Sequence, residues 1–263
     1  MATAGPAVAG ITAQAVPVKY SLTVRPGVPI ARDITIRNLG DAPVVVHVRL
    51  SDWTLDERGR MDFVPPGSMP ASLAGLVTFE PGQFSLQAGE SGVIHVVMRL
   101  PDSGGPATRW GILLSEVRPA HWPDASFGPR AIAELGTTLY LSRLEAGSTR
   151  AELVGMQVGS DGDSALSLAV TVRNPGERHL YSTGEVTLRD SSGTAVATGA
   201  LGTGVVLPGT RRMFTWTCPL RHAAGRYTVT ATLDTGEPEL IVGETEVRWP
   251  PAAAAPQPVA SKR

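Results

Sequence analysis

One segment of the chain has the residue types of a nucleophile turn. Asp102-Ser103-Gly104-Gly105-Pro106 follows the order found around the reactive serine of serine proteases, except that Pro101 stands where such a turn begins with glycine. An activated serine needs a histidine base oriented by a carboxylate, and N–H donors aimed at the oxyanion. His47 and His95 lie upstream but inside alternating apolar runs, so no base is assigned and the segment reads as an inter-strand loop. The five histidines, His47, His95, His121, His179 and His222, show no i, i+2 or i, i+4 pairing that would gather metal ligands on one face. Asp52-Trp53-Thr54-Leu55-Asp56-Glu57-Arg58-Gly59 carries acids without the oxygen-ligand spacing of a calcium loop, and reads as a hairpin anchored by Trp53. No pair of acids sits in a setting that suits glycoside hydrolysis. Cys218 is the only cysteine, so an intramolecular disulfide and a multi-cysteine zinc site are excluded. Phe214, Trp216 and Cys218 alternate with Thr215 and Thr217, which places the thiol on the apolar face of a strand as a buried, structural group. These residues imply no enzyme, no metal and no cofactor.

The elements that carry them are strands. Between Val18 and Trp249 no long amphipathic helical pattern occurs, whereas short alternating runs recur between Gly, Pro, Asn and Asp. Ile34 and Ile36, then Val44, Val46, Val48 and Leu50, form two apolar faces around the turn residues Asn38-Leu39-Gly40-Asp41-Ala42-Pro43. Further strands are predicted at Gly92 to Leu100, Trp110 to Arg118 and Ile132 to Arg143. In the second half they fall at Ala151 to Val158, Ala165 to Arg173, Gly184 to Arg189, Arg212 to Cys218, Gly225 to Leu233 and Gly243 to Trp249.

The two halves repeat. Ile36-Arg37-Asn38-Leu39-Gly40 returns as Val172-Arg173-Asn174-Pro175-Gly176, Leu50-Ser51-Asp52 as Leu188-Arg189-Asp190, and Leu86-Gln87-Ala88-Gly89 as Leu207-Pro208-Gly209. A separation of roughly 120–140 residues means duplicated domains and not a solenoid. With 263 residues, 42% hydrophobic and 18% charged, there is material for two cores. The predicted fold is therefore all-β, two tandem immunoglobulin-like β-sandwich domains, at residues 18–145 and 150–249. Residues 1–17 read as a signal-peptide remnant or a flexible arm, since Ala13-Gln14-Ala15 fits a small-x-small cleavage site but a basic n-region is missing. Residues 250–263 form a Pro- and Ala-rich tail expected to be disordered. A formal charge of -1 gives no field for nucleic acid, and no apolar run reaches the length needed for membrane insertion.

The first half resembles the N-terminal domain of the periplasmic pilus-chaperone (PapD-like) superfamily, as a divergent exported relative. The resemblance spans Val18 to Leu144 and rests on the β run with its Arg37-Asn38 turn, on the block from Phe79 to Ser91, and on the strand from Ala107 to Ser115. It implies a periplasmic or extracellular protein that holds a partner by β-strand addition and anchors the partner's terminal carboxylate with an Arg and a Lys in the interdomain cleft. Arg25, in the first strand, is the candidate arginine. The strand from Ala131 to Leu141 has no Lys, and Thr138 stands about where it is expected.

These readings converge on a non-enzymatic protein-binding module, chaperone-like, that captures an extended segment of a secreted or pilus-type protein. The alternative is a structural or adhesive envelope scaffold. The expected edge strand is Ile132 to Leu141, with Leu135, Thr137, Leu139 and Leu141 as the face that fills a partner's groove. Of the five tryptophans, Trp110 and Trp216 are predicted core residues, and Trp122, in a long loop, is the predicted aromatic contact.

Overall fold

The structure, a computed structural model, describes residues 11–121, 132–147, 149–161, 165–219 and 224–249. Regular structure within these is entirely strand. The strands are β1 (Ala13–Val16), β2 (Lys19–Val24), β3 (Ile30–Asn38), β4 (Val44–Leu55), β5 (Met61–Val64), β6 (Val77–Glu80), β7 (Gln83–Leu86), β8 (Ser91–Met98), β9 (Thr108–Pro119) and β10 (Ala133–Arg143), followed by β11 (Glu152–Asp161), β12 (Ala165–Arg173), β13 (Leu180–Asp190), β14 (Ala195–Val206), β15 (Arg211–Pro219), β16 (Gly225–Asp234) and β17 (Ile241–Trp249). They fall into two compact units, β1–β10 and β11–β17, with the turn residues Leu55–Arg60 grouped with the second.

In the first unit one sheet has the order β1-β3-β8-β6 and the other β2-β10-β9-β4-β5, with β7 paired to β4. Alternation drives the stacking: Ile34 and Ile36 of β3, Val44 and Val46 of β4 and Ile94, Val96 and Met98 of β8 all bury their side chains in one core. Each such burial stabilises by about 1.5–3 kcal/mol. Two strands are divided between the sheets. β1 pairs with β3, and after Pro17 the chain continues as β2 in the opposite sheet. β6 pairs with β8, and after Pro81 the chain continues as β7 against β4. The second unit stacks β11-β12-β15 on β14-β13-β16-β17 around Leu168, Val170, Phe214, Trp216, Val229 and Leu233. Cys218 is buried there, and desolvation pushes its thiol pKa up, in keeping with a packing role.

Residues 1–17, expected as a signal-peptide remnant or flexible arm, include a strand, β1. Ala13–Val16 form a ladder with Thr35–Asn38, and Ala15 is buried in the core, because its small side chain fits the margin between the sheets. β14 has no counterpart among the expected strands, since its Ala, Gly and Thr residues show no apolar alternation.

The sequence repeat is a repeated hydrogen-bond corner. The amide of Asn38, fully buried, donates to the carbonyls of Ala42 (2.8 Å) and Gln87 (3.0 Å), and its Oδ1 accepts from the Gly40 N–H (3.0 Å). Asn174, equally buried, donates to Arg178 (2.7 Å) and Val206 (2.9 Å), and accepts from the Gly176 N–H (2.9 Å). The backbone N–H of Asn38 donates to Glu90 and that of Asn174 to Thr210, each just past a left-handed glycine, Gly89 (φ +76°) or Gly209 (φ +72°). The repeated acid is corrected by the structure: Asp190 matches Asp56, not Asp52. Both close a four-residue turn in which a glycine N–H, of Gly59 or Gly193, donates to the aspartate carbonyl.

Replacing Asn38 or Asn174 with alanine takes from two carbonyls and one N–H the buried amide that pairs with them, and is expected to cost about 2–4 kcal/mol. Urea unfolding of the full chain tests this, and midpoints equal to that of the unsubstituted protein would remove the asparagines from the role.

Candidate functional site

β10 is the strand on which the expected site residues converge. It pairs antiparallel with β9 from Ala133↔Val117 to Ser142↔Thr108. On its other side it pairs parallel with β2, but only from Thr138↔Lys19 to Arg143↔Val24. So β10 is an edge over Ala133–Thr137 alone, and an internal strand beyond.

The direction of the main-chain groups follows from this pairing. The Thr138 N–H donates to Val18 O (3.0 Å), on the β2 side, and the Arg143 N–H donates to Ala107 O (2.9 Å), on the β9 side. Since strand N–H and C=O groups alternate sides, those of Gly136 and Glu134 point away from β9. No strand among the described residues pairs with them. The open edge thus carries two residues' worth of outward donors and acceptors, over about 16 Å of strand.

Side chains sort along the same boundary. Leu139 and Leu141 are wholly buried in the first unit's core, so they cannot fill a partner's groove; this corrects their expected role, and the cause is the inward face they share with β9 and the opposite sheet. Thr137 is buried as well, its hydroxyl donating to Pro17 O (2.9 Å), where it pins the start of β2. Leu135 and Ala133 remain only partly buried against the core, as does Ala13 of β1. Gly136 has no side chain, and a Cβ there would sit 2.7 Å from Ile112 Cδ1. Glu134, exposed, has its carboxylate 2.7 Å from Arg49 Nη2 on β4.

Arg25 and Thr138 are not brought together. Arg25 follows Val24, which faces Arg143 at the far end of the β2–β10 ladder, whereas Thr138 faces Lys19. Five residues of strand, about 16 Å, separate those positions. The basic residues that do lie at the far end are Arg143 and Arg109, which sequence reasoning did not single out. Arg143 donates to Gly104 O (2.6 Å), and Arg109 to Pro70 O and Ser72 O (both 3.0 Å). Burial first, and then the positive charge of Arg143, lower the Arg109 pKa. No local pattern marks them, because it is the parallel β2 that brings Arg25 alongside. Trp122 lies outside the described residues.

The outer face of the paired half of β10 is closed by the segment after β5. Asp52, fully buried, accepts from the Gly67 N–H (2.9 Å), the Ser68 N–H (3.0 Å) and the Ser72 hydroxyl (2.7 Å). The Trp110 N–H donates to Ala71 O (2.9 Å) and its indole N–H to Trp53 O (3.1 Å); Trp110 is half-buried at this layer and not in the main core as expected. Beneath the strap Trp53 meets Tyr140 of β10 edge to face, with ring centroids 5.9 Å apart. The Asp102–Pro106 segment is a loop between β8 and β9, with Gly104 and Gly105 both at positive φ.

Comparison with family profiles gives no match, and neither does comparison with curated proteins. Solved structures do match. A chain of a chaperone–tip adhesin complex of CFA/I fimbriae biogenesis aligns at TM-score 0.48 with 10% identity, covering 89% of this chain and 98% of its own. A chain of the Salmonella enterica SafA pilin–SafB chaperone complex aligns at 0.47 with 13% identity, covering 93% and 98%. The E. coli chaperone DraB aligns at 0.46 with 13% identity, covering 90% and 98%.

Substituting Asp52 with alanine leaves the Ser68 N–H and the Ser72 hydroxyl without their acceptor and the Gly67 N–H with the Ser72 oxygen alone, and is expected to destabilise the first unit by about 3–5 kcal/mol. Near-ultraviolet circular dichroism of Trp53 and Tyr140 should weaken with it, and an unchanged spectrum would show that the strap holds without the carboxylate. Each of these three chains comes from a structure described as a chaperone or a chaperone complex, at 10–13% identity to this chain.

Proposed function

We propose that this chain is a non-enzymatic, exported protein-binding module of chaperone type, whose first unit captures an extended segment of a partner protein along the open half of β10. The observation that carries the reading is the half-paired strand. Glu134 and Gly136 turn their N–H and C=O groups outward beside a ladder that β2 completes only from Thr138 onward. An added strand satisfies those groups and continues the sheet, which is how an edge acts as a binding surface.

The same geometry describes the occupant. Its alternate side chains point inward over Ala133, Leu135 and Ala13, three apolar groups only partly covered by the chain itself. The captured segment therefore presents apolar residues at every second position over about five residues. Since this stretch offers Ala, Gly and a single Leu, the occupant supplies most of the apolar bulk. Secreted or pilus-type subunits fit this description, and the first-half resemblance supports a periplasmic or extracellular setting. A carboxylate anchor built from Arg25 and position 138 forms no part of the reading, because the β2–β10 register keeps them apart.

The probe is a fluorescein-labelled, end-capped heptapeptide of alternating valine and threonine, titrated with the full chain and followed by anisotropy. Glu134→Pro removes an outward donor without breaking the ladder to β9, so it should abolish binding. Glu134→Ala keeps the N–H and should bind as the unsubstituted chain does. Equal affinity for the proline variant, or no binding by the unsubstituted chain, would overturn the proposal.

A further inference from the structure

The one charged side chain on the open half of β10 is held away from the edge. Glu134 faces Glu116 of β9 directly, at Glu134↔Glu116. Because Thr138 directs its N–H toward β2, the even-numbered positions of β10 form the closely spaced, non-hydrogen-bonded pairs with β9, in which Cα atoms stand about 4.5 Å apart. Two carboxylates directly opposed at that spacing repel. Glu116 is itself an internal residue of the sheet and is balanced by Arg118 (3.2 Å). Glu134 has open space on one side only, beyond the edge, so repulsion drives it outward over the groups a partner strand must reach. Arg49 opposes this: its guanidinium stands on β4, on the far side of β9, and draws the Glu134 carboxylate inward to 2.7 Å.

An outward charge on an edge strand blocks pairing with another chain. We propose that Arg49 is a positioning residue for capture, holding Glu134 back across β9 so that the edge at Glu134 and Gly136 stays open. The inference rests on the strand-capture reading above and adds to it the element that sets how open the edge is. Arg49 touches no part of the proposed occupant; it acts through Glu134. Both side chains are substantially exposed, at 53% and 37%, so their contribution to folding stability is small and the effect belongs to binding.

The same valine–threonine peptide tests it. Arg49→Ala is expected to weaken binding about three- to tenfold while thermal unfolding of the full chain stays unchanged. Adding Glu134→Gln to Arg49→Ala should restore the affinity, because the liberated side chain no longer carries charge. Unchanged affinity for Arg49→Ala, with Glu134→Pro still abolishing binding, overturns this inference and leaves strand capture standing. Loss in Arg49→Ala that Glu134→Gln does not restore also overturns it, since Arg49 then acts by another route. No binding by the unsubstituted chain overturns both.

Discussion

Each unit depends on one buried asparagine amide. A side-chain amide has two donors and an acceptor, and at Asn38 and Asn174 both kinds are used: the acceptor on its own turn, the donors on that turn and on a strand end far along the chain. Buried without partners, such a group would cost several kcal/mol. Satisfied, it ties the turn after the second core strand to the corner that precedes β8 or β15. That tie fixes register, and in a sheet with period-2 side chains a slip of one residue would turn every core residue outward. Ile34, Ile36, Ile94 and Val96 all face inward because β3 and β8 meet at this register.

The long strands were legible because their burial is one-sided or complete. β12, with Leu166, Leu168, Val170 and Val172 buried on one face, reads as a strand from sequence alone. β14 does not, since Ala, Gly and Thr carry no alternation, and its strand state comes from the ladder with β13. The short strands β1, β2, β5, β6 and β7 are also set by their neighbours more than by their own residues. The asparagine repeat was visible as letters, but only hydrogen bonding separates Asp56, the turn residue equivalent to Asp190, from Asp52, which is spent on the strap.

For the site, the strand was legible and its edge was not. Leu135, Thr137, Leu139 and Leu141 share one face by simple alternation, and the sequence offers no reason to divide them. The division comes from β2, a strand more than a hundred residues earlier that lies parallel to β10 and stops short of its first half. Parallel pairing leaves no hairpin or turn signal near β10, so local patterning is blind to it. Arg25 moved for the same reason: its place along β10 is decided by which end of β2 it follows.

The divided first strand also explains why a free edge of this length is compatible with a stable unit. Had β2 begun earlier, it would have paired with all of β10 and left that strand no free edge; had β1 stayed unpaired, Ala15 and its neighbours would have left the core open. Splitting the strand at Pro17 lets β1 complete one sheet and β2 most of the other. On β10 itself, what remains unpaired is two residues' outward groups, too few for that strand to template extended self-association between copies. Main-chain bonding at so short an edge is also too little to select a partner by itself, since each net hydrogen bond contributes only about 1 kcal/mol. Selectivity must then come from the side chains that frame it, the apolar margin at Leu135 and Ala13 on the inward side and the Arg49–Glu134 pair on the outward side.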